Sequence, residues 1–246
     1  YTPVTLGAMA GRHKAMHYKP IRRTPMHDWH TDAGAVLVEA GLWLRPQYYP
    51  RPGEDVHAAM RREVKMTRNG VGICDVSTLG KIDIQGPDAA EFLDFVYANR
   101  FSTLKTGKVR YGLMLREDGH VMDDGTTARL GDDHYLMTTT TAAAGQVMMH
   151  LEFVHQCLRP ELDVAMISAT EQWAQFAVAG PRAADLLGAV LDAPLSDADW
   201  PFMSCGTVGV MGVPGRLFRI SFSGERGYEV AVPARYGESL WRVLVA

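Results

Sequence analysis

The sequence predicts an α+β protein made of two related units. First, a ten-residue pattern occurs twice: Ile84-Gln-Gly-Pro-Asp-Ala-Ala-Glu-Phe-Leu and Val178-Ala-Gly-Pro-Arg-Ala-Ala-Asp-Leu-Leu. Each copy reads as a strand, a Gly-Pro break and the first turns of a helix, and such recurrence marks repeated units rather than one continuous sheet. Second, short runs rich in Val, Ile, Thr and Tyr alternate with segments of helical period. Third, Val109 to Leu115 and Val121 to Leu130 flank an Arg-Glu-Asp-Gly turn at 116 to 119, which predicts a hairpin.

Composition permits this architecture. With 246 residues, 47% hydrophobic and 22% charged, the chain has material for a sizeable core and one or two domains. A net charge of -3 offers no global attraction to nucleic acid or to an anionic membrane. No apolar run approaches the roughly 20 residues that span a bilayer, and no secretory leader opens the chain. The three cysteines, Cys74, Cys157 and Cys205, are widely spaced and suit a reducing, cytoplasmic setting. The start at Tyr1 without Met, and the stop at Ala246 inside a helical pattern, read as a piece of something longer.

Residues 1 to 52 hold six of the thirteen prolines and a basic cluster from Arg12 to Arg23. They read as an extended connector from a preceding domain, with a short helical or mixed stretch from Asp32 to Leu44. His13, His17, His27 and His30 have metal-like spacings, but Pro20 and Pro25 break the helix such ligands need, so no metal is expected. The first unit, 53 to 160, opens with Asp55 capping a helix that carries Val56, Ala59, Met60 and Val64 on one face. Strands follow near 72–76 and 81–85, then a helix burying Ala89, Phe92, Leu93 and Val96. After the hairpin come a strand at 134–138 and a helix over about 142–156. The second unit, 161 to 246, repeats the scheme: strands at 163–168 and 173–179, a helix with Leu186, Leu187 and Val190, strands near 207–211, 217–221 and 228–232, and a final helix.

Two features break these patterns. Asp123 and Asp124 sit side by side where a strand ordinarily carries Val, Ile or Thr. Successive strand side chains face opposite ways, so one carboxylate can meet solvent while the other faces an interior; the plain alternative has both solvated at a hairpin end. Glu229 is the second unusual acid, inside a strand between Tyr228 and Val230, just beyond the Ser223-Gly-Glu-Arg-Gly turn. Dinucleotide and nucleotide phosphate loops are absent, as is a nucleophile elbow.

The ordered set His30 with Gly34-Ala35, Trp43 to Pro46, Gly72-Ile-Cys-Asp-Val-Ser, Gly86-Pro87, Asn99 with Leu104-x-x-Gly107-x-x-Arg110-Tyr111, Asp118-Gly-His-Val-Met-Asp-Asp124, Gly180-Pro181 and Ser223-Gly-Glu-Arg-Gly-Tyr-Glu229 resembles the aminomethyltransferase (glycine-cleavage T-protein) family. Within that family it is most similar to the folate-binding part of the alpha subunits of heterotetrameric sarcosine oxidases. The resemblance implies an aminomethyltransferase-like folate-binding fold, a cloverleaf of three α+β domains around a channel, with two units present here and the third truncated. It implies tetrahydrofolate as the ligand, with FAD, FMN and NAD elsewhere in an assembly that includes beta, gamma and delta subunits. By the same resemblance Asp124 is the catalytic acid near folate N5 and N10, with Asp123 outward. Glu229 holds the pterin, and Tyr111 lines the pocket. The implied work is one-carbon metabolism: a methylene iminium from oxidative demethylation of sarcosine becomes 5,10-methylenetetrahydrofolate. The alternatives are an aminomethyltransferase of the glycine cleavage system, working with a lipoyl protein, and a non-catalytic folate-binding module.

Overall fold

The repeat in the sequence becomes two five-stranded antiparallel sheets of matching strand order. The computed structural model describes residues 3–10 and 20–246; the basic cluster's 12–19 part, with His13 and His17, lies outside the described residues. In the first half of the body, β4 (Gly72–Asp75) and β5 (Gly80–Gln85) lead into a helix, Ala89–Val96, then β6 (Val109–Leu115), β7 (Val121–Gly131), β8 (His134–Thr139) and a helix, Ala144–Phe153. The second half runs β9 (Ala165–Ser168), β10 (Trp173–Ala179), a helix at Ala183–Gly188, β11 (Cys205–Val210), β12 (Val213–Phe218), β13 (Gly227–Pro233) and a helix at Gly237–Val245.

One sheet has the order β6-β7-β8-β5-β9 and the other β11-β12-β13-β10-β4. The orders superpose once the edge strands are exchanged: each half lends its first strand to the other half's sheet. The sheets therefore do not respect a boundary at residue 160. The Gly-Pro turns explain the tight crossing. Gly86 and Gly180 adopt φ of 139° and 122°, and a Cβ on either would stand 2.2 Å from the Asp163 carbonyl oxygen or 2.4 Å from that of Thr67. Only glycine permits both the backbone angle and the approach.

The leading segment departs from the extended connector that its prolines predict. Arg22–Arg23 (β1), a helix at His27–Asp32, Val36–Ala40 (β2) and Trp43–Tyr48 (β3) build a small sheet of order β1-β3-β2. Pro46 is tolerated in the middle strand because β1 pairs only with Trp43 and Leu44, so no partner awaits the N–H that proline lacks. The segment is docked, not draped: Met26 is fully buried in the second sheet's core, and the His30 and Trp29 rings meet Trp241 at 4.9 and 5.4 Å.

Other elements fall within a few residues of expectation. Asp55 caps the helix Val56–Asn69 through the Ala58 N–H at 2.7 Å. On that helix Ala59 is buried, whereas Met60 and Val64 are half exposed, because the helix touches the body along a narrow strip. The helix near 142–156 ends its α portion at Phe153 and closes with a π turn, Val154–Leu158.

Three clusters of buried side chains hold the body together. One lies between the first sheet and its helices, around Ile82, Phe92 and Met137. A second lies under the other sheet, around Phe176, Val230 and Trp241. The third joins the sheets face to face: Val109, Ala128 and Leu136 meet Phe218, Ala231 and Ile220.

Candidate functional site

The surface between the sheets carries the unusual acids. Tyr111 stands opposite Thr126, and Thr138 opposite Lys81. Thr126 and Thr138 hydroxyls are 2.9 Å apart, so Tyr111, Thr126, Thr138 and Lys81 form one row across four strands. That row lies next to Val109, Ala128 and Leu136, on the same face by strand alternation. Asp124, two residues from Thr126, belongs to this face also. On the other sheet Cys74, Ala177, Glu229 and Phe218 stand in register, beside Ala231. Both faces meet through the third cluster, so Asp124 and Glu229 look toward the same inter-sheet space.

Exposure falls along the first row. Tyr111 is 50% exposed, the threonines are half-buried and Lys81 is fully buried. The Tyr111 hydroxyl donates to the Asp124 carboxylate at 2.6 Å, and that bond raises the Tyr111 pKa above the ordinary phenol value. Asp124 itself is exposed. Asp123 corrects the sequence reading: it is buried rather than outward, and its carboxylate accepts from the Thr140 N–H at 3.2 Å. Its side of β7 is the one covered by the first core, next to Met114, and burial pushes its pKa up.

Glu229 is half-buried on the face between the sheets, and Cys74, one strand beyond Ala177 on the sheet edge, is exposed. Glu229 and Cys74 thus share one face of the second sheet, on the side turned toward the first. Burial raises the pKa of both. Opposing that shift at Glu229 are a hydrogen bond from the Gln175 amide and the charge of Lys81. No hydrogen bond or ion pair joins Asp124 to Glu229 among the described residues. Phe222, ahead of the turn leading to Glu229, is completely exposed.

Sequence reasoning missed Lys81 and the Tyr49, His30, Asp75 chain. His30 Nε2 is 3.1 Å from Asp75 Oδ2, and its Nδ1 is 2.7 Å from the Tyr49 hydroxyl. Burial opposes ionisation of Asp75, but the bonds from His30 and Ser77 hold its carboxyl below the usual range. This chain ties the small sheet to β4; His30 is thereby occupied. A Lys inside the strand-like Lys81-Ile-Asp-Ile was the available signal, since a strand buried on both faces has no room for a solvated ammonium. A separate cavity of about 240 Å³, lined by Arg23, Thr24, Trp43, Ser77, Thr170 and Trp173, includes neither Asp124 nor Glu229. Among the described residues no helix is long and apolar enough to cross a membrane.

Two sheets of equivalent order, with exchanged edge strands and acids on their facing surfaces, define an aminomethyltransferase-like fold. The chain belongs to the GCVT N-terminal domain family, whose model matches residues 26–246. It is 54% identical over 243 residues to the sarcosine oxidase subunit alpha of Rhizobium meliloti, which covers 98% of this chain and 25% of that protein. It thus spans about a quarter of the length of that relative. Among solved structures, the glycine cleavage system aminomethyltransferase T from Bartonella henselae superposes with a TM-score of 0.78 at 25% identity, over 92% of this chain and 57% of that one. A chain of the heterotetrameric sarcosine oxidase from Corynebacterium sp. U-96, in complex with pyrrole 2-carboxylate, shares the fold with a TM-score of 0.56 at 15% identity, over 91% and 93% of the two chains.

Proposed function

We propose that the inter-sheet recess binds tetrahydrofolate and that the chain is the one-carbon-accepting part of a sarcosine oxidase alpha subunit. FAD, FMN and NAD belong to other parts of that assembly, and its beta, gamma and delta subunits are the partners. The observation that carries this reading is the placement of Asp124 and Glu229 on facing surfaces of the two sheets. The donor set fits the ligand. A reduced pterin presents adjacent N–H donors along one edge, which a fixed carboxylate such as Glu229 accepts with charge assistance.

Bound tetrahydrofolate supplies two secondary amines, N5 and N10, to accept the methylene carbon of the iminium derived from sarcosine. The chain's residues do the rest. Asp124, at the open end, stabilises the cationic carbon and accepts the proton released when the second amine bonds to it. The proton lost by the first amine leaves on the glycine nitrogen as glycine departs. The proton that Asp124 takes at ring closure then passes to the freed glycine amine, so both N–H protons end on glycine and the carboxylate is regenerated. Tyr111 fixes the carboxylate's orientation through its hydrogen bond.

Calorimetric titration of tetrahydrofolate into the full-length protein and its Asp124→Ala variant tests the reading. The variant is expected to bind more weakly and to form less 5,10-methylenetetrahydrofolate; equal affinity and equal yield would refute the role of Asp124. The similarity to an aminomethyltransferase supports a second reading, methylene transfer from a lipoyl protein, which predicts activity with that carrier and none with sarcosine.

A further inference from the structure

Lys81 has no exposed surface, a rare position for an ammonium. Its Nζ donates to the Ser77 and Leu79 carbonyl oxygens at 3.1 and 2.9 Å. Both acceptors are neutral, and an ammonium has three donors. The negative charges that act on it are Glu229 and Asp75. Asp75 is already bonded to His30 and to the Ser77 N–H, which leaves Glu229 as the charge Lys81 can serve. They share no direct bond, but they stand on facing rows. Arg216 and Asp83, one step along the same two faces, meet across the sheets at 3.9 Å. Ser77, whose carbonyl takes the Lys81 ammonium, is bonded to Gln175, whose side-chain amide donates to Glu229. Isolated at that depth, Glu229 would favour its neutral form.

We propose that Lys81 is a positioning residue for the pterin end of the recess: anchored by two backbone carbonyls, its ammonium keeps Glu229 ionised, so that the carboxylate accepts pterin N–H donors. This rests on the tetrahydrofolate reading. Burial brings the Lys81 amine down to about 8, so it is charged at neutral pH and loses its charge a little above it. The other titratable groups around Glu229 do not substitute. Cys74 is a thiol pushed up by burial, Asp75 carries the wrong charge, and Arg45 and Glu63, acting through the Cys74 side, oppose each other. Arg216, one pair along on the same face, is paired with Asp83 of the opposite sheet at 3.9 Å.

The test follows tetrahydrofolate binding by calorimetry between pH 5.5 and 8 in the full-length protein and in Lys81→Met and Lys81→Arg variants. Wild type is expected to bind equally well from pH 6 to 7.5. Lys81→Met is expected to bind at least about tenfold more weakly near pH 6.5 and to recover as pH rises, because an uncompensated Glu229 must be ionised by the solution instead. Lys81→Arg should keep the wild-type profile. Unchanged binding in Lys81→Met, or a loss of the same factor at every pH, overturns the proposal.

Should Lys81→Met fail to fold, infrared difference spectra of ligand-free wild type against Glu229→Gln at pH 7 decide. Disappearance of a carboxylate stretch supports the proposal, and disappearance of a protonated carboxyl band overturns it. Wild type that binds no tetrahydrofolate at any pH would instead bring down the folate reading, and with it any role toward a pterin, while the infrared result still judges the coupling of Lys81 to Glu229.

Discussion

The Tyr111 hydroxyl and the Asp124 carboxylate, thirteen residues apart across the β6–β7 hairpin, are joined by a 2.6 Å hydrogen bond at the open end of the inter-sheet row. A carboxylate that must meet a passing carbon needs one orientation, and the phenol is what selects it. Tyr111→Phe should therefore slow methylenetetrahydrofolate formation by about tenfold while leaving tetrahydrofolate affinity within a factor of about two. Single-turnover rates at saturating folate measure this. An unchanged rate would mean that Asp124 is oriented by something else.

Gly86 and Gly180 share one geometry and should share one sensitivity. Alanine at either site adds a Cβ to a left-handed backbone and drives it into a carbonyl of the exchanged strand's approach. Each substitution is expected to cost about 3 kcal/mol or more, against about 1–2 kcal/mol at the open Gly119 turn, where the φ of 82° is the only strain. Urea unfolding of the three variants provides the comparison. Equal losses at all three positions would show that close approach adds nothing to backbone strain.

These same glycines show how far the sequence could be read. The Gly-Pro repeat was legible as a doubled unit because strand and helix signals are local. The exchange of β4 and β9 was not, since pairing partners about a hundred residues apart leave no mark on period or propensity. In the same way, Tyr111, Asp124 and Glu229 stood out as polar residues in apolar runs. Which face of β7 each acid takes depends on the hairpin register, so Asp123 was placed on the wrong side. Lys81 was missed because its burial is decided by the opposing sheet, and the leading 22–48 segment because its order comes from docking against Trp241 rather than from its own prolines.

Asp123 offers a pH-dependent check of the corrected orientation. Its folded-state pKa lies above the ordinary value, with burial as the main cause, so folding favours the neutral acid. Stability from this group is present below the unfolded pKa and is lost as pH rises through the folded one. Asp123→Asn keeps an oxygen for the Thr140 N–H and removes the buried charge. It should raise Tm by a few degrees at pH 7 and change nothing near pH 3. Thermal unfolding at both values tests this; a variant less stable at pH 7 would place the carboxylate in a compensating contact.

Cys74 reports on the recess from its wall. The thiol stands two strands from Glu229 with only Ala177 between, and it remains reachable by solvent although burial raises its pKa. Alkylation should consequently be slow near neutrality and accelerate with pH, since the thiolate is the reacting form. A pterin seated on Glu229 would cover the sulfur, so saturating tetrahydrofolate is expected to slow Cys74 labelling by at least about tenfold. Cys157, exposed after the helix Ala144–Phe153, is the internal control and should label at the same rate with or without folate. Peptide mass analysis after a timed iodoacetamide pulse separates the two thiols. Protection of neither, under conditions where calorimetry shows binding, would move the ligand away from Glu229.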